Sequence, residues 1–175
     1  MPIGLKDKST NDKAVMHPTR NDMPEKTRVS MIALLNARLA DGIDLYLQTK
    51  QAHWNVKGPS FIALHELFDQ IAELVEGGID EMAERAVALG GSANGTIQTV
   101  SRESTLAAYP VSIAKGTDHV EAMASALAAY GKVIRAAIQT AGDAGDADTA
   151  DLFTGISRAI DKNLWFVEAH SQAKS

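Results

Sequence analysis

Four long apolar stripes at helical period, joined by a short link, a long link and a short link, restrict this chain more than any other feature. Met31, Leu35, Leu39, Ile43 and Tyr46 recur at helical spacing and predict helix A over 28–54. The stretch Asn55-Val56-Lys57-Gly58-Pro59-Ser60 stops it, with Gly58 suited to a left-handed turn and Pro59 to the first turn of the next helix. Leu64, Leu67, Phe68, Ile71, Leu74, Val75, Ile79 and Met82 carry helix B over 60–89, which Gly90-Gly91 ends. Residues 92–116 form a long connection with a short helix around 100–107. Helix C follows over 117–141, with Thr117 or Asp118 as its cap. Gly142 and Gly145 mark a tight turn before helix D over 147–171, whose stripe is Leu152, Ile156, Ile160, Leu164 and Val167. There is no strand signal and no internal repeat.

Short links make neighbouring helices antiparallel, and one long link makes a crossover. The expected fold is therefore all-α: a ferritin-like four-helix bundle with one long B–C crossover carrying a short helix. The 175 residues suffice for one domain with its own core. That domain is expected over 28–172, after a polar, flexible N-terminal tail over 1–27 and before a C-terminal end at 173–175. The N-terminus lacks the apolar stretch of a signal peptide, and no apolar run approaches a membrane span, so a cytoplasmic location without membrane contact is expected.

Cysteine is absent, which excludes disulfides, thiolate metal sites and thiol catalysis; any metal must be held by His and carboxylate. Five such residues stand out: His53 near the end of helix A, and His65, Asp69, Asp80 and Glu84 on helix B. The pairs His65/Asp69 and Asp80/Glu84 each project from adjacent turns of one face. At about 100° per residue the four helix B residues share an arc of roughly 100°, turned away from Leu67, Ile71, Leu74 and Met82. Asp69 and Asp80 are separated by a rise of about 16 Å, so the two pairs cannot hold one metal within a single chain. A second helix B, antiparallel about a two-fold axis, would set Asp80 and Glu84 of one subunit against His65 and Asp69 of the other, giving two such sites per dimer. The Glu-x-x-His motifs of a site inside the bundle are missing, which also argues against a di-manganese enzyme of that type. Taken one at a time, such pairs are more often a solvated face or a local ion pair. His17 and His119 carry no signal, His170 fits a contact with the end of helix D, and Trp54 and Trp165 read as packing residues.

The run Gln51-Ala52-His53-Trp54-Asn55-Val56-Lys57-Gly58, followed by Phe61, Leu64-His65, Leu67-Phe68-Asp69 and Asp80-Glu81-Met82-Ala83-Glu84-Arg85, resembles the signature of the Dps family, the DNA-protection-during-starvation proteins or mini-ferritins. The resemblance covers about residues 28–172. It implies a ferroxidase and iron-storage protein in which His53, His65 and Asp69 of one subunit act with Asp80 and Glu84 of its two-fold mate. It further implies a homo-dodecamer built from dimers, two irons per site, Fe2+ and hydrogen peroxide as substrates, and ferric mineral stored in a hollow shell. By the same resemblance Asp143 and Asp151 line a pore for Fe2+, although acids there also suit the start of helix D. A second reading is a nucleoid-compacting DNA-binding protein with a secondary metal site. The tail decides between them. Residues 1–28 hold six basic and four acidic residues, net +2, while the remainder carries −7 of the chain's net −5. A body of that charge repels phosphate, and Leu5, Val15, Met16 and Pro18 could dock the tail on it. Weak, non-specific DNA binding is the expectation.

Overall fold

A computed structural model describes residues 16–172. It contains five helices: α1 (Glu25–Asn55), α2 (Phe61–Ala88), α3 (Ile97–Glu103), α4 (Gly116–Asp143) and α5 (Ala147–Gln172). All four expected long helices and the short crossover helix are present, and no strand occurs among the described residues. α1 starts at Glu25, three residues before the expected position, and α3 lies a few residues earlier than expected. The cap of α4 differs as well. Gly116 opens the helix after Lys115, and neither Thr117 nor Asp118 serves as the N-cap.

Contacts give the topology. The end of α1 meets the start of α2 at His53 and His65, while the start of α1 meets the end of α2, where Arg28 donates from Nη1 to Leu89 O at 2.9 Å. These two helices are therefore antiparallel. The crossover then runs back along α1. Asn36 donates to Ser92 O, Asp44 accepts from Ser104, Gln48 donates to Ala107 O, and Lys57 N donates to Ala114 O. α4 starts where α1 ends and runs against it; α5 returns beside α4, tied by Arg135 to Asp161.

The core fills the space between these helices with Leu35, Leu45, Phe68, Ile71, Met82, Met123, Leu127, Tyr130, Ile134, Phe153 and Ile160, all essentially without solvent exposure. Two expectations shift. Ile43 is only half-buried and Leu45 takes the inner place on α1. Leu74 is exposed at the edge of an open groove lined by Gly77, Gly78 and Gly155, which supply no side chain to fill it, together with Tyr130 and Ile156.

The segment before α1 is laid against the body from Met16 to Pro24, in place of a free tail there. Met16 and Met23 pack on the core, and His17 N donates to Gly90 O at 2.7 Å. Gly90 permits this twice over. Its φ is +93°, and a Cβ there would stand 2.7 Å from His17 O. Expectations for residues 1–15 and 173–175, including docking by Leu5 and Val15, lie outside the described residues.

Candidate metal centre

His53 occupies the last turn of α1 and His65 the second turn of α2, so the tight 56–60 link sets their rings face to face. The ring centroids are 3.7 Å apart and the planes differ by 20°. Each Nδ1 bonds the other residue's backbone: His53 Nδ1 to His65 O at 2.7 Å, and His65 Nδ1 to His53 O at 2.8 Å. A carbonyl oxygen can only accept, so both Nδ1 atoms carry the proton and donate. In the neutral rings both Nε2 atoms then keep a free lone pair. That is the tautomer a metal ligand needs, held by backbone oxygens behind it. The arrangement also serves the fold, because His65 satisfies a carbonyl in the last turn of α1 that has no partner within the helix.

Asp69 lies one turn beyond His65, with Oδ1 3.8 Å from His53 Nε2. Two metal–ligand bonds of about 2 Å span at most about 4 Å, so one ion could bridge these atoms with a small closure. Lys50 Nζ donates to the same Oδ1. That bond holds the Asp69 carboxyl below its ordinary pKa, against the opposing effect of burial; a protonated His53 would add a smaller lowering. Asp69 is therefore ionised at neutral pH and ready to accept a cation.

Asp80 and Glu84 sit farther along α2, exposed, with no hydrogen-bond partner among the described residues. The structure thus stacks His65 on His53, sets Asp69 within 3.8 Å of His53, and leaves Asp80 and Glu84 apart. Among the described residues no three His, Asp or Glu side chains are close enough to hold a metal within one chain. The outward face of α2 that carries these ligands also carries Ile62 and Val87, which are 59% and 55% exposed. On α1 the neighbouring outward positions are Leu47, Lys50 and Trp54, with Leu47 and Trp54 exposed. Trp54 and Trp165 are therefore outside this subunit's core, contrary to their reading as packing residues. An apolar rim around an unfilled polar cluster is the pattern of a surface that meets another protein.

The acids near the α4–α5 turn divide. Asp146 is buried and caps α5, accepting from Thr149 N at 3.0 Å and from Arg85 Nη2 at 2.8 Å, so it serves the fold. Asp143, Asp148 and Asp151 are exposed; Asp143 accepts from Gln139, and Asp148 lies 3.8 Å from Arg85. His119, without a sequence signal, is buried. Its Nδ1 lies 2.7 Å from Tyr109 Oη, and burial holds its pKa below the ordinary value. His170 bonds Phe166 O one turn back, at the end of α5 as expected.

Lys50 escaped the sequence reading. The available signal was its place three residues before His53, which puts both on one side of α1.

The profile of the ferritin-like domain matches residues 32–173. A DNA protection during starvation protein of Agrobacterium fabrum is 49% identical over 91% of this chain and 98% of its own length. Among solved structures, a Dps of Mycobacterium smegmatis superposes with a TM-score of 0.85 at 33% identity, covering 89% of this chain and 95% of that one. A Dps of Microbacterium arborescens, described as in its high-iron form, gives 0.80 at 32% identity over 87% and 98%.

Proposed function

Since the chain belongs to the Dps family of ferritin-like proteins, we propose that it oxidises Fe2+ at a site shared between two subunits and stores the ferric product within a hollow shell. The observation that carries this reading is the pair of Nδ1-tethered imidazoles beside an ionised Asp69, on a face that also bears Asp80 and Glu84.

The donor set suits the substrate. Imidazole nitrogen and carboxylate oxygen bind Fe2+, and carboxylates favour Fe3+, a harder cation. An antiparallel α2 pair centred between Leu74 and Val75 sets His65 opposite the mate's Glu84 and Asp69 opposite the mate's Asp80. The same register sets Ile62 opposite Val87, so the pairing that completes the ligand set also covers the exposed apolar residues. Two ions per site match two electrons for hydrogen peroxide: two Fe2+ give up one electron each, the O–O bond breaks, and with two protons two waters leave. No hydroxyl radical is released. DNA is then protected by the removal of iron and peroxide together, in a shell built from dimers, with twelve subunits as the family reading has it.

Direct DNA binding is a lesser part of this proposal, and of it the structure says something particular. Arg28, one of six basic residues in the N-terminal 28, is committed to Met23 O and Leu89 O and is not free for phosphate. The body remains net acidic. A gel shift at about 0.15 M salt, where separated charges are screened, should show little or no binding. Tight binding there, lost on deleting residues 1–20, would restore the nucleoid reading. A cytoplasmic place is part of the same proposal; no described helix is long and apolar enough to cross a membrane.

The test of the shared site is complementation. One variant lacks His65 and Asp69, another lacks Asp80 and Glu84, and each alone should oxidise Fe2+ slowly. In a mixed dimer one site loses all four ligands and the other regains all four, so co-assembled protein should recover part of the rate. Mixed assemblies as inactive as their parents would place the site within one chain.

A further inference from the structure

We propose that Lys50 is a built-in stand-in cation. Its ammonium occupies the metal position at Asp69 while metal is absent and withdraws when metal enters. This inference rests on the metal centre proposed above.

Lys50 and His53 share one side of α1, and Asp69 faces both from α2. The oxygen nearest the His53 lone pair, Asp69 Oδ1, is the one that accepts from Lys50 Nζ. The lysine is no free surface side chain: it is 20% exposed against 43% for Asp69, and its Nζ stands 6.0 Å from the centre of the Trp54 ring. A metal bridging His53 Nε2 and Asp69 Oδ1 would lie within about 5 Å of Nζ, given bonds near 2 Å. Two cations at that distance repel strongly in a partly dehydrated site. Lys50 must therefore swing off Asp69 for metal to bind with both ligands.

The proposed dimer supplies the reason for such a residue. Its register sets Asp69 opposite the mate's Asp80, so two carboxylates converge in the metal-free assembly. Like charges at short range oppose docking unless something lies between them. Lys50 answers that need from within the chain. It keeps the empty interface together and gives up its place to a dication that does the same task better. It also weakens metal binding at Asp69 relative to the other position of the site, so the two positions fill unequally.

A plain surface salt bridge makes a different prediction, which is what allows a test. Metal-free wild type, Lys50→Gln and Lys50→Arg would be titrated with Zn2+, a redox-inert probe of the same ligands, by calorimetry, and melted with and without Zn2+. Lys50→Gln should bind Zn2+ about tenfold more tightly than wild type. Its metal-free assembly should melt or dissociate more readily, and saturating Zn2+ should restore it to wild-type stability. Lys50→Arg, which keeps the cation, should behave as wild type in both respects. Unchanged or weaker Zn2+ binding by Lys50→Gln, or a loss of stability that Zn2+ does not repair, would overturn the stand-in role. His65→Ala in the same titration separates the two levels. If it binds Zn2+ as well as wild type, the metal centre itself is wrong, and the stand-in role falls with it.

Discussion

Asp41 and Asp69 are both aspartates paired with a cation from α1, yet they stand at opposite extremes of use. Asp41 has no solvent exposure. One oxygen, Oδ1, accepts from Thr105 N at 2.7 Å and Thr105 Oγ1 at 2.9 Å; the other, Oδ2, forms an ion pair with Arg38 Nε at 2.9 Å without a hydrogen bond. Its charge is paired within its own chain, and it fastens the crossover to α1. Asp69 takes one lysine, keeps most of its lone pairs open, and stands 3.8 Å from His53 Nε2. A carboxylate buried and paired within the chain is structural. One left half-exposed beside two backbone-tethered imidazoles is available to a ligand.

The largest effect should come from exchanging these two positions in their sensitivity. Asp41→Ala leaves Arg38 and the Thr105 amide without a partner and should cost about 3 kcal/mol of stability, read as a shifted denaturation midpoint. Asp69→Ala should stay within about 1 kcal/mol of wild type, since its ion pair is half-exposed, but should lose about 100-fold in metal affinity. Equal losses of stability in the two variants would erase the distinction between them.

A smaller effect extends the contrast to the acids around the α4–α5 turn. Asp146 is complete, being bound by Arg85 and Thr149; Asp143 and Asp151 are open to solvent. Replacing Asp143 and Asp151 by Asn should leave stability within about 0.5 kcal/mol. If these acids draw Fe2+ through a pore, as the resemblance to the family implies, uptake at low salt should slow about twofold while affinity at the oxidation site holds. Asp146→Asn should instead cost about 2 kcal/mol with little effect on uptake by the folded protein. Stopped-flow uptake that is unchanged for the Asp143/Asp151 variant at low salt would leave those acids no role in entry.

Much of the helical frame was legible from local pattern. Apolar residues at spacings of three and four, broken by Gly58-Pro59, Gly90-Gly91 and Gly145, define helices whose ends shift by no more than a few residues in the structure. The misses were places where a neighbour decides. Leu74 lies on the apolar stripe yet faces an open groove that Gly77, Gly78 and Gly155 leave without side chains. Met23 looked like part of a polar tail yet packs on the core, as does Met16, whose docking was expected, because Gly90 lets the chain approach. Of the proposed ligands, all five were singled out by residue type and, on helix B, by helical phase, while their roles came from the resemblance to the Dps signature. The acids at the α4–α5 turn were not divided that way; Asp146 differs from Asp143 in capping α5 through Thr149 and in having Arg85 of another helix beside it.

By itself, then, the sequence determined the helical frame, the short-long-short links that dictate one crossover, and the outward phase of His65, Asp69, Asp80 and Glu84. These follow from a period of about 3.6 residues and from the backbone freedom of a few glycines, both of which are properties of the local chain. Only the tertiary structure decided which nitrogen of each histidine is bare, which lysine stands at Asp69, and which aspartates are already spoken for. Those depend on the register of one helix against another. That register is set by how whole cores interlock, and a shift of one residue would move each of these side chains by about 100° around its helix.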